Sequence, residues 1–137
     1  MKQLITLLVF LFITAFAFGQ NEKLMQVIND QFDAFNKADV DRLVNNVTDD
    51  FKWFFITSDS SGVEVEGKDN FRKSMEDYFK KGRKVTSKME SFVIHDNRIS
   101  FKEVVSHKNS KGEMVSSSAM GIYEIRGDKI SRAWYFY

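Results

Sequence analysis

The chain contains no cysteine and no proline among its 137 residues. Without cysteine it forms no disulfide, offers no thiol nucleophile and carries no lipoprotein anchor. Without proline, its turns fall to glycine, asparagine, aspartate and serine. Histidine is scarce: His95 and His107 stand apart, in neither an HxH nor an HExxH pattern, so no metal and no cofactor is expected. There is no glycine-rich phosphate loop, and Ser116-Ser117-Ser118 lacks the G-x-S-x-G frame of a hydrolase elbow. Charge of one sign is missing too. Apart from Lys2 the chain carries 19 basic and 19 acidic residues. No net field draws it to nucleic acid or to an anionic membrane.

Aromatic residues are plentiful. Fourteen Phe and two Trp call for an aromatic core or an aromatic-lined cavity. The start of the chain reads as a targeting segment. Lys2 precedes an almost unbroken apolar run from Leu4 to Phe18, and Ala17 and Gly19 suit a cleavage site after Gly19. The run is short for a bilayer span, which needs about 20 apolar residues. Residues 1–19 are therefore expected to be a signal peptide, and residues 20–137 one exported domain, periplasmic or secreted.

Past the leader, hydrophobic spacing sorts the chain into helices first and strands later. Leu24, Val27, Ile28, Phe32 and Phe35 form the stripe of a helix running to about Lys37. Asp39 is placed to cap a second helix through Val47, with Asp49-Asp50 closing it. Phe51 to Thr57 reads as a strand, and Val63 to Glu66 as a short strand returning after the Ser58 to Gly62 turn. A third helix follows Gly67, with Phe71, Met75, Tyr78 and Phe79 on one face, and stops at Gly82. Four further strands are expected over 85–95, 99–108, 114–125 and 129–137, separated by tight turns. That order predicts an α+β fold with an antiparallel meander. Asn46-Val47-Thr48 also matches a glycosylation acceptor.

The run AFNKADVDRL, followed by Asp49-Asp50-Phe51, resembles the opening of the nuclear transport factor 2-like superfamily. Gly67-Lys68-Asp69 with FRKSMEDYF, then IYEI from Ile122, then Asp128-Lys129-Ile130 and RAWYF continue the resemblance over roughly residues 22 to 137. Within it, the chain resembles the SnoaL-like and ketosteroid-isomerase-like branch. The resemblance implies a curved antiparallel sheet, a cone-shaped half-barrel wrapped around three helices, with a pocket at the open end. It also implies pairing into a homodimer through the convex face of the sheet. The isomerase's catalytic groups are not retained: its base falls at Phe55, its oxyanion tyrosine at Gln31 and its protonated aspartate near Gly121. Scaffold and pocket carry over without that machinery.

Strand alternation then nominates the pocket residues. Phe101, Glu103, Val105 and His107 share one face, which the superfamily turns inward. Ser117, Ala119, Gly121 and Tyr123 would face the same space. Glu103 is the candidate general base, since a carboxylate among apolar neighbours has its charged form disfavoured. Its expected partner is Arg132 or Tyr123. His107 lies about 13 Å along the strand at roughly 3.3 Å per residue, near its end. Trp53 and Phe55 are expected to line the cavity from the first strand, and Arg132, Trp134 and Phe136 from the last. One residue of slip would turn Ala133, Tyr135 and Tyr137 inward instead. Together these residues suit a small apolar or aromatic molecule. Three readings follow: a ligand-binding domain, an isomerase, cyclase or dehydratase using Glu103, or a dimeric interaction domain.

Overall fold

A computed structural model describes Gly19, residues 21–82 and residues 84–137. The expected leader therefore lies, but for Gly19, outside the described residues. Three helices and six strands are present among them. Helix α1 spans 21–36 and buries Leu24, Ile28 and Ala34. Ala38, at φ 54°, turns the chain into Asp39, whose carboxylate accepts a hydrogen bond from Arg42 N at 3.1 Å. This caps α2, Val40–Asn45. Arg42 reaches back to Asp30 and, at 2.9 Å, to Asp33, which ties α2 to α1. Asn46 of the acceptor triplet donates to Asp30 at 2.7 Å, a structural contact.

Strand β1 is longer than expected, Val47–Ile56, and α2 correspondingly shorter. Asp49 and Asp50 are exposed strand residues and do not close the helix. The cause is long-range: Ile130 N donates to Asn46 O at 2.8 Å, and the fully buried Val47 lies opposite Ile130. Strand β2, Ser61–Glu66, returns antiparallel to β1. Gly67, at φ 85°, then leads into α3, Lys68–Lys80, which buries Phe71 and Met75. Strands β3 (Val85–His95), β4 (Arg98–Lys108), β5 (Met114–Arg126) and β6 (Lys129–Phe136) form the expected antiparallel meander.

The strands make one curved, open sheet in the order β2-β1-β6-β5-β4-β3. Its one departure from an antiparallel sheet is the β1–β6 pair, which runs parallel. First and last strands of the sheet's two halves meet there, a pairing no local pattern announces. The helices fill the concave side. Gly121 on β5 is needed for this packing: a Cβ there would stand 2.5 Å from Phe101 Cζ. Phe101 lies across that gap, edge-on to Phe32 at 5.5 Å and to Tyr123 at 4.8 Å. No helix among the described residues is long and apolar enough to cross a membrane.

Candidate functional site

A cavity of about 440 Å³ opens between the concave sheet face and the helices. Phe32 and Phe35 of α1, Phe71, Met75 and Tyr78 of α3, and Phe51 and Trp53 of β1 form its apolar walls. Val105, Ser117, Ala119, Tyr123, Ala133 and Tyr135 line it from the meander. Cross-strand pairs on this face set a large side chain against a small one: Tyr123 lies opposite Ala133, and Tyr135 opposite Gly121. That alternation leaves the space open.

Glu103 is the polar centre, 9% exposed. Ser87 on the edge strand β3 donates its hydroxyl to Glu103 Oε1, and Tyr135 supplies a second hydroxyl. Tyr123 and Tyr135 hydroxyls lie 2.8 Å apart; with Tyr135 donating to Glu103, Tyr123 donates to Tyr135. The far end is pinned by Asn36 of α1. Its side-chain amide accepts from Ser87 N at 2.7 Å and donates to Ser87 O at 2.9 Å. No Lys, Arg or His is among the described residues lining the cavity. Burial therefore raises the Glu103 pKa, and its two hydroxyl donors offset only part of that. Burial likewise raises Tyr123 and Tyr135, keeping both phenols protonated. Among the described residues no three His, Asp or Glu side chains gather to hold a metal ion.

Of the nominated residues, Glu103, Trp53, Val105 and Tyr123 line the cavity. Arg132, Trp134 and Phe136 do not. The last strand sits one residue from the expected register, so Ala133, Tyr135 and Tyr137 face inward. The pairing of β5 with β6 shifts between Glu124 and Ile125, and this resets the parity. Arg132 instead meets Glu124 at 3.0 Å on the convex face, so it is no partner of Glu103. Trp134 stacks on Phe54 there at 5.5 Å, and Phe136 lies beside Met120. Phe55 packs against Gly62 outside the lining, and His107 lies beyond it, opposite Val85 and Val115. Sequence reasoning missed Ser87 and Asn36, which left no sign. It gave Gln31 no role, although the resemblance set that residue where the isomerase carries its oxyanion tyrosine, and the structure places it on the cavity wall.

The fold is of the nuclear transport factor 2-like kind. The chain belongs to the SnoaL-like domain family, whose model matches residues 28–133. Solved structures similar to it include a protein from Jannaschia sp. CCS1 assigned as a SnoaL-like polyketide cyclase, at 16% identity. That match covers 84% of this chain and 85% of the other, with a TM-score of 0.66. An LEH-like epoxide hydrolase from M. tuberculosis is similar at 10% identity, covering 84% and 82%, with a TM-score of 0.67. TerC, co-crystallised with polyporic acid, is similar at 12% identity, covering 82% and 89%, also at 0.67. Comparison with curated proteins found no sequence match.

Proposed function

We propose that the protein binds a small, mainly apolar, ring-bearing molecule in the concave cavity and exchanges a proton with it through Glu103. The observation that carries this reading is a buried carboxylate facing a roomy apolar cavity, with hydroxyl partners and no cation among the described lining residues. A carboxyl raised by burial stands nearer the working pH, so its two protonation states serve as base and returning acid. The similar structures include an assigned cyclase, an epoxide hydrolase and a protein co-crystallised with polyporic acid, which fits a site of this chemistry.

A neutral ketone with exchangeable α-protons, such as 2-tetralone, tests this reading. Glu103 takes the α-proton as the C–H bond breaks, the enolate holds the electron pair, and a solvent-exchanged deuteron returns to carbon. Proton NMR in D₂O is expected to show faster loss of the α-signal with the protein than without it. Glu103→Gln is expected to remove the gain, at least a hundredfold by the usual worth of a positioned base. Binding with no change in exchange rate would leave a ligand-binding domain and overturn the catalytic half.

The convex face supports a second reading, that two copies pair there. The stacked Phe54 and Trp134, with Phe136 and the exposed Met120, form an apolar strip across β1, β6 and β5. Light scattering is expected to give a dimer at micromolar concentration, and Trp134→Glu a monomer. Export after cleavage at Gly19 is likewise proposed; mass spectrometry of protein from its native host is expected to find a chain starting at Gln20.

A further inference from the structure

Among the described residues lining the cavity, two fully buried side-chain polar atoms have no partner. Gln31, on α1, is 7% exposed, and its Oε1 is buried without a hydrogen bond. Trp53 Nε1, on β1, is likewise buried and unpartnered. Both residues line the cavity. A buried polar group left unmatched is costly, so such atoms call for a partner that arrives from outside. Gln31 Oε1 accepts and Trp53 Nε1 only donates, so a molecule satisfying both brings one donor and one acceptor.

Charge narrows the class further. The ionisable groups among the described lining residues are Glu103 and four tyrosines, all neutral or negative. An anion would meet no compensating cation among the described lining residues, in a low-dielectric space. An ammonium would meet Glu103 but would leave the Trp53 donor unmatched, having no lone pair to accept from it.

We infer that the cavity selects an uncharged ring compound carrying a hydroxyl or a hydroxyl and carbonyl, with Gln31 accepting its donor and Trp53 donating to its oxygen. The inference rests on the proposed binding role of this cavity and names the substrate class for it. Phenols and hydroxy-ketones fit; carboxylates, phosphates and amines do not.

Four naphthalenes of similar size separate these cases by calorimetry at pH 7: 2-naphthol, naphthalene, 2-naphthoate and 1-naphthylmethylamine. Naphthol is expected to bind about tenfold or more tighter than each of the others, the worth of roughly one matched hydrogen bond. Gln31→Leu and Trp53→Phe are each expected to lower the ratio of naphthol to naphthalene affinity about tenfold, with folding checked by thermal melting. If one variant fails to fold, the other carries the same test. Equal binding of naphthalene, or equal or tighter binding of the naphthoate or the amine, would overturn the inference and leave the cavity's binding role standing. Ratios unchanged in the folded variants would do the same. Failure of all four probes to bind would overturn the binding role itself, and the inference with it.

Discussion

The two faces of the sheet each bury one glutamate, and the two behave oppositely. Glu103 on the concave face is 9% exposed and Glu124 on the convex face 8%. Desolvation is the largest influence on both and raises both. At Glu124 it is outweighed, because Arg98 at 2.7 Å and Arg132 at 3.0 Å hold the carboxyl below its ordinary range. At Glu103 the partners are hydroxyls, and the carboxyl stays above its range. Similar exposure thus yields an ion-paired carboxylate on one side and a carboxyl raised above its range on the other. The partner set decides which, together with the deeper seat of Glu103 among the cavity walls.

The largest effect is expected where the concave face is most tightly built. Gly121→Ala places a methyl where Phe101 lies, and the ring has to leave its seat between Phe32 and Tyr123. Denaturant unfolding is expected to show a loss of about 2 to 3 kcal/mol, in the upper part of the overpacking range. A change under about 0.5 kcal/mol would mean that the concave face is not the rigid half of the comparison.

The convex ion pair comes next. Replacing both Arg98 and Arg132 by Ala strands Glu124 as a buried charge. A fully buried broken pair costs about 3 to 5 kcal/mol, but both arginines are about half exposed, so roughly 1 to 2 kcal/mol is expected. The double variant is also expected to raise the Glu124 pKa, bringing it toward the behaviour of Glu103. Carbon-13 NMR titration of the two carboxyls checks that convergence directly.

The smallest effect is the pH dependence that Glu103 imposes. Its folded pKa lies above the unfolded value, so the native state holds its proton more tightly. Stability from this group is therefore greatest below the unfolded pKa and declines as pH rises toward the folded one. Glu103→Gln removes that decline. The variant is expected to gain on the native protein in melting temperature as pH rises from 4.5; a gain on going to lower pH would reverse the assignment. Asp50 runs the other way: paired with Arg126, its pKa falls to about 2, so its surface contribution is lost as pH drops from 3.8 toward that value.

Much of this was legible locally. The four meander strands fall where their alternating residues and Asn, Asp and Gly turns put them. Asp39 caps the helix it was read to cap. Glu103, Val105 and Tyr123 reach the cavity because a period of two is a property of the backbone, independent of what surrounds the strand. The failures came where a distant segment decides. Helix α2 stops early because β6 captures Asn46 and Val47, and β1 lies parallel to a strand some eighty residues later. Arg132, Trp134 and Phe136 turned out of the cavity because a shift in the β5–β6 pairing resets parity.

The sequence by itself determined the class of fold, the order of its elements and the presence of a carboxylate on the inner face of β4. Tertiary structure alone decided what that carboxylate meets. Ser87 comes from an edge strand held by Asn36 of α1, and Tyr135 comes from the far end of the chain. Periodicity says which side a residue faces; only packing between segments far apart in sequence says which atoms stand opposite it, and those atoms set its charge.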